Sequence, residues 1–409
     1  MKKKLISLAV AGALATPMVA SAQGTNVTMF GSVQAEYSTI DFDGMTSQAQ
    51  IGDEAGRSRW GVHVVEQLGG GLKAKAHLEF GFNTGNGDIG IARERWVALA
   101  NDAWGEVKFG RVQSPFKDFA GGQTIDPFAY TTLQAAGSGG TMTASANGMG
   151  SGAQGFVNSA ARYDSPTVEG FSFAALLMPG DSNNLDPILG GGISNSSNFT
   201  PNSTSGGEDG EWDFQIAGKY EANIADHNFG VFGGYSRDNI STNQRAFQGI
   251  GADDEEVWRG GATWSFMGFR LSGQYENINN ASINGAASCT TAAALGGTAL
   301  SGANSGGRGQ CNSAMNVNGD GHLWFVGGEY EIGNTRLLAQ GGMGEADATT
   351  QGAKREISTF TVGAIHNLSK RSSLFGGYQR NMIDNDSSTL AQNIFKDSNV
   401  YTVGLRHNF

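Results

Sequence analysis

Between residues 72 and 80 the chain alternates with period two. Leu72, Ala74, Ala76, Leu78 and Phe80 fall on one face, and Lys73, Lys75, His77 and Glu79 on the other, the pattern of a strand with one apolar and one polar side. The same dyad returns where Trp212, Phe214, Ile216, Gly218 and Tyr220 oppose Asp213, Gln215, Ala217 and Lys219. It returns again where Tyr401, Val403, Leu405, His407 and Phe409 alternate with Thr402, Gly404, Arg406 and Asn408. Read this way, the chain predicts 16 strands, at 27–37, 57–66, 72–82, 93–100, 104–112, 160–166, 169–178, 211–222, 225–237, 256–266, 268–278, 321–332, 334–344, 356–368, 371–382 and 398–409. The connections alternate between tight turns, such as 66–71, 101–103, 222–224, 331–334 and 367–370, and long segments at 38–56, 83–92, 113–159, 179–210, 238–255, 279–320, 345–355 and 383–397. Short turns at one rim, long loops at the other and segments of about 9 to 11 residues predict an all-β, 16-stranded antiparallel transmembrane β-barrel. A barrel of this size leaves an aqueous channel, which accounts for polar inner faces that a packed core would not tolerate.

Composition narrows the reading further. Of 409 residues 63 are Gly, and only 16% are charged. Past residue 22 no apolar run approaches the roughly 18 residues of a helical span, which excludes helical transporters. Collagen would need Gly at every third position, and disorder would lack the 23 Phe, 9 Tyr and 7 Trp spread along the chain. Some of the glycine lies at strand positions such as Gly218, Gly233, Gly273, Gly328 and Gly377, and more of it in loops. Aromatics at strand tips, Trp60, Trp96, Trp104, Trp212, Tyr235, Trp264, Tyr275, Tyr330, Tyr378 and Tyr401, are candidates for girdles at the lipid headgroups. Lys2 to Lys4, the apolar stretch Leu5 to Ala15 and Ala20-Ser21-Ala22 describe a signal peptide over residues 1–22. Its removal takes three lysines and moves the formal charge from -11 to -14. Nucleic acid is therefore an unsuitable partner. The remaining span, 23–409, reads as a single barrel domain of an exported protein, in whose oxidising compartment Cys289 and Cys311 can pair as a disulfide pinning a loop.

On these residues the chain resembles the general diffusion porins of Gram-negative outer membranes. Ser58-Arg59-Trp60-Gly61-Val62 with Glu66 to Ala74 looks like the family's second hairpin. Arg93 to Leu99 with Gly105 to Arg111 looks like its fourth and fifth strands, and Asn158 to Pro166 like its sixth; the chain ends on the aromatic Phe409. The resemblance implies a homotrimer of barrels with short periplasmic turns and long extracellular loops, in the cell outer membrane. Its partners would be membrane lipid, lipopolysaccharide, ions and small hydrophilic solutes, with the barrel-assembly machinery reading Phe409. It further implies a third loop, here 113–159, folded into the lumen as a constriction whose acidic residues face wall arginines. Carried over by position, Arg59 and Arg93 match those arginines, Arg57 and Arg95 share their faces by strand parity, and Arg162 is a further lumen-side candidate. On the loop the carboxylates are Asp118 and Asp126, with Lys117 beside them. The family's acidic Pro-Glu-Phe-Gly run is absent, and 135–155 is rich in Gly, Ala, Ser and Thr.

The expected activity is passive diffusion of ions and small hydrophilic solutes through a narrow charged waist. A solute-selective channel, for example for oligosaccharides, is the alternative, because Phe116, Phe119, Phe128 and Tyr130 supply loop aromatics. A barrel serving as a surface adhesin or phage receptor would have the same strands. No enzyme, cofactor or metal is expected: the six His are scattered at 63, 77, 227, 322, 366 and 407, and no Gly-x-Ser-x-Gly elbow occurs. Asn316 to Gly321 fails as a calcium loop because its twelfth position is Gly327. The acidic loop clusters Asp253 to Glu256 and Asp41 with Asp43 read as solvated loop charge or, since carboxylates suit hard cations, as holders of divalent cations at the lipopolysaccharide surface.

Overall fold

The computed structural model describes residues 24–43, 47–53, 57–87, 89–137, 142, 155–179, 212–239, 254–281, 319–347, 354–385 and 397–409. The signal-peptide segment, Cys289 and Cys311 lie outside the described residues.

Among them are 17 strands in one antiparallel sheet. In chain order these are β1 (Asn26–Phe42), β2 (Gln48–Gly52), β3 (Arg59–Gly69), β4 (Leu72–Phe82), β5 (Ile89–Asn101), β6 (Gly105–Gln113), β7 (Phe156–Asp164), β8 (Phe171–Pro179), β9 (Trp212–Ile224), β10 (His227–Asp238), β11 (Glu255–Phe266), β12 (Phe269–Ala281), β13 (Gly319–Ile332), β14 (Thr335–Asp347), β15 (Lys354–Asn367), β16 (Ser372–Asn385) and β17 (Ser398–Asn408). From β3 onward each strand pairs with the next, β2 and β3 both pair with β1, and β17 pairs with β1 from Ser32↔Asn408 to Phe42↔Ser398, so the sheet closes on itself. The backbones of Gly31 and Phe409 exchange hydrogen bonds of 3.1 and 3.0 Å at this seam. Closure removes both sheet edges, which is what a lipid environment demands of strands.

β2 is the element that alternation did not predict. It and β3 divide one edge of β1, β2 taking Glu36 to Ile40 and β3 taking Asn26 to Ser32, so the barrel has 16 spanning positions. Between them Asp53, Arg57 and Ser58 lie outside the ladder, and the buried carboxylate of Asp53 accepts the N–H groups of Arg57, at 2.9 Å, and Ser58. That turn sets Arg57 over the lumen rather than in the wall.

The alternation separates lipid from water. On β9, Trp212, Ile216 and Tyr220 are about half exposed on the outer face while Asp213 and Gln215 are buried inside. On β17, Tyr401, Val403 and Leu405 point out and Thr402 points in. The outer face of such a barrel needs no internal packing because lipid covers it. Trp96 departs from the girdle expectation: it faces the lumen, 8% exposed, stacked on His77 at 5.1 Å. Trp258 and Trp324 are instead exposed on the outer surface. The third long connection runs 114–155, because β7 starts at Phe156, before the predicted 160.

Candidate functional site

The loop after β6 crosses the lumen, and its described part is seated by two apolar patches of the inner wall. Phe116, Ala120, Ile125 and Met142 pack against Ala217, Val257, Ile278, Leu323, Phe325 and Ile357. Phe128 and Leu133 pack against Ile40, Leu338, Ile365, Phe375 and Val400. The second patch contains a dent, where Gly363 and Gly377 are cross-strand partners. A Cβ at Gly363 would lie 2.8 Å from the Phe128 ring and one at Gly377 2.8 Å from Leu133 Cδ1. Only glycine admits the loop there.

A loop buried this way must still satisfy its backbone groups, and lumen-facing side chains do so. Gln215 Oε1 accepts the Phe116 N–H at 2.8 Å and Gln274 Oε1 the Gly122 N–H at 2.8 Å. Ser272 donates to the Ile125 carbonyl at 2.8 Å, and Gln340 and Gln379 both donate to that of Leu133, at 2.8 and 3.0 Å. Arg259, wholly buried and ion-paired with Glu276, donates to the carbonyls of Phe116 and Ala120. These contacts make the described part of the loop a fixed part of the lumen.

The waist lies between this loop and the wall of β3 to β7. The carboxylate of Glu79 on β4 is shared by Arg59 on β3, at 3.4 Å, and Arg93 on β5, in close contact. Across from them the loop presents Tyr130. Its ring covers the guanidinium of Arg57 at 4.1 Å and that of Arg59 at 5.5 Å. Its carbonyl accepts Gln34 Nε2 at 3.0 Å and Arg406 Nη2 at 2.8 Å. Tyr130 holds φ at 63°, a left-handed conformation that costs a non-glycine residue about 1–3 kcal/mol and persists because these contacts fix it. A second ring, Phe156, is faced by Lys117 Nζ at 4.1 Å, Arg93 at 5.0 Å and Arg111 at 5.3 Å. Burial, with Arg93 nearby, pushes the Lys117 ammonium down to about 7.

The predicted site residues therefore separate. Arg57, Arg59 and Arg93 come together at the waist. Arg95 does not join them: the register shifts between Leu78 and Phe80, so Arg95 pairs with Leu78, which is exposed on the outer face, and lies on the Phe80 ring at 4.7 Å. Strand parity fails at the shift because two residues of β5 oppose one of β4 there. Arg162 is on the lumen face but fully engaged, with Asp118 at 2.7 Å and Asp164 at 2.7 Å. Asp126 is turned into the loop itself, where it accepts the N–H groups of Phe128 at 2.8 Å, Ala135 at 2.7 Å and Gly137 at 2.8 Å. Burial raises it to about 6.

Neither loop carboxylate faces Arg57 or Arg59. Among the described residues, no carboxylate lies within ion-pair distance of the Arg57 guanidinium, whose Nε is buried without a hydrogen-bond partner. Of the loop aromatics, Phe116 and Phe128 are core and Phe119 is half-buried against it, which leaves Tyr130 facing the wall cations. Arg406, Gln34 and Phe156 were not predicted as site residues. For Arg406 the signal was present, since it lies on the polar face of the last strand.

The chain matches the family model described as Gram-negative porin over residues 7–388. It is 25% identical to an outer membrane porin protein of Bordetella pertussis across 100% of both chains. Among solved structures it is similar to an anion-selective porin from Comamonas acidovorans, with 20% identity, 94% of this chain and 100% of that one covered, and a TM-score of 0.62. It is also similar to OmpT of Vibrio cholerae in its trimer form, with 14% identity, 95% and 100% coverage and a TM-score of 0.55.

Proposed function

The chain belongs to the Gram-negative porin family and is an outer-membrane channel for passive diffusion, and on that premise we propose that its waist prefers small hydrophilic anions. The observation that carries this reading is the meeting of Arg57 and Arg59 with the ring of Tyr130 instead of with a carboxylate. A transverse field needs charge of both signs on opposite walls. Here Asp118 is taken up by Arg162 and Asp126 by loop amides. Glu79 is the carboxylate that answers Arg59 and Arg93. Glu36 and Asp53 lie near Arg406 but are buried among amide and hydroxyl donors, so the charge turned toward Tyr130 is positive; an anion entering there lowers its energy while a cation raises it, and solutes with strong dipoles still pass. The anion-selective structural relative is consistent with this reading.

The pore-lining set is then Arg57, Arg59, Arg93 and Arg406 with Glu79, and Arg162 with Asp118 fastens the loop. The trimer form of a structural relative supports a homotrimer for this chain. Exposed outer aromatics such as Trp60, Trp258 and Tyr401 support headgroup and lipopolysaccharide contact, and the terminal Phe409 supports recognition by the assembly machinery. The test is the zero-current potential of single channels in planar bilayers under a KCl gradient. A potential of the chloride-selective sign supports the reading, and a potassium-selective sign defeats it. Saturable blocking by sugars, without a salt potential, would favour the oligosaccharide channel instead.

A further inference from the structure

The lumen wall carries a second constellation that ion passage does not require. His63 on β3 and His77 on β4 are direct cross-strand partners. Their side chains share the inner face with Glu79, because Leu78 points outward. Their Nδ1 atoms are 3.4 Å apart. Two imidazole nitrogens bound to one tetrahedral zinc at about 2.0–2.1 Å would be separated by about 3.4 Å.

The pair is also held in place. His77 is sandwiched between Phe30, at 5.1 Å and 28°, and Trp96, at 5.1 Å and 8°, while His63 stands edge-on to Trp96 at 5.9 Å. Nε2 of His77 faces the Glu79 carboxylate at 3.8 Å. That distance is an electrostatic contact and not a hydrogen bond; a proton held on Nε2 beside this negative charge leaves the Nδ1 lone pair turned toward His63. Nearby cations are answered by carboxylates: Lys75 by Glu106 at 2.6 Å and Lys108 by Asp164 at 2.9 Å.

The group His77, Glu79 and Glu94 also brings three ligand atoms within 4.8 Å of one another. It is the poorer cage, because Glu79 is shared by two arginines, and Glu94 already accepts Gln113 Nε2 at 2.6 Å and Trp96 Nε1 at 3.1 Å. A dication placed there would sit against the guanidiniums. The two imidazoles do not share their Nδ1 atoms with a guanidinium, and Glu79 lies 3.8 Å behind His77.

We propose that His63 and His77 form a lumen-facing clamp for a borderline divalent transition-metal ion such as zinc, nickel or copper. Imidazole suits these ions and not magnesium or calcium. The other coordination positions open to lumen water, so binding is reversible, and an ion there adds positive charge to the permeation path.

The test uses the full barrel in detergent, with folding checked by the shift in gel mobility on boiling. Isothermal titration with zinc chloride is expected to show saturable binding of one ion per chain, magnesium chloride none, and EDTA to reverse it. His63→Gln, whose KCl conductance should equal that of the wild type, and His77→Gln should each weaken zinc binding at least about tenfold, by loss of one of two ligands. In bilayers zinc should move the zero-current potential further in the chloride direction for the wild type and leave His63→Gln unmoved. Absence of saturable zinc binding in the wild type, or zinc binding in both variants as tight as in the wild type, overturns the assignment.

Discussion

Glu79 is the most informative residue to change, because it is the carboxylate shared by Arg59 and Arg93. Glu79→Gln keeps the shape and the hydrogen-bonding oxygen while removing one negative charge from the waist. One unit charge acting on an ion about 4 Å away through water is worth about 1 kcal/mol. That corresponds to roughly a fivefold rise in the partition of a monovalent anion and a comparable fall for a cation. The chloride-to-potassium permeability ratio, which multiplies the two effects, should thus rise about 25-fold at low salt. At about 1 M salt, where the screening length falls from about 10 Å at 0.1 M to about 3 Å, most of the increase should vanish. Zero-current potentials of the two proteins, measured in the same gradient at low and high mean salt, read this directly. An unchanged ratio at low salt, or a move toward potassium, would refute the reasoning, because it would mean that permeating ions do not pass within reach of the Arg59–Glu79–Arg93 group. Gel mobility before and after boiling controls for misfolding.

Other consequences can be measured alongside. With the Lys117 ammonium pushed down to about 7, it is neutral above that pH and charged below it, so anion preference should increase as pH falls from 8 to 6, and Lys117→Met should reduce that increase to the part that follows Asp126, raised to about 6. Arg259→Leu leaves Glu276 buried without its cation and frees two loop carbonyls, so the barrel should lose about 3–5 kcal/mol in denaturant titrations. Gly377→Val places a side chain where Leu133 and the Val362 carbonyl lie, at 2.8 and 2.5 Å. Overpacking of about 1–3 kcal/mol should unseat the loop. The readout is raised and noisier single-channel conductance with the outer wall intact.

Much of this molecule was legible in its sequence because a membrane strand has one rule. Lipid on one side and water on the other impose period two, and the alternation at Leu72 to Phe80, Trp212 to Tyr220 and Tyr401 to Phe409 reappears as outward and inward faces. The order of short turns and long loops was legible for the same reason, since a strand that emerges must turn back. Even the His63–His77 pair was implicit, because the tight turn between β3 and β4 fixes which residues lie opposite.

What the sequence left open are the places where the rule is interrupted. A register shift beside Leu78 sends Arg95 to the other face, and the three-residue surplus between β2 and β3 lifts Arg57 over the lumen. Neither leaves a mark in the alternation, because each is a compromise between two strands. The loop is the larger case. Its path is set by the dent at Gly363 and Gly377 and by glutamines on β9, β12, β14 and β16, residues 99 to 246 positions away that no local pattern connects. Sequence alone determined that the chain forms a barrel with a charged interior. Only the closed structure decided which charges face one another, because opposition across a lumen depends on where the loop finds apolar wall and free hydrogen-bonding groups.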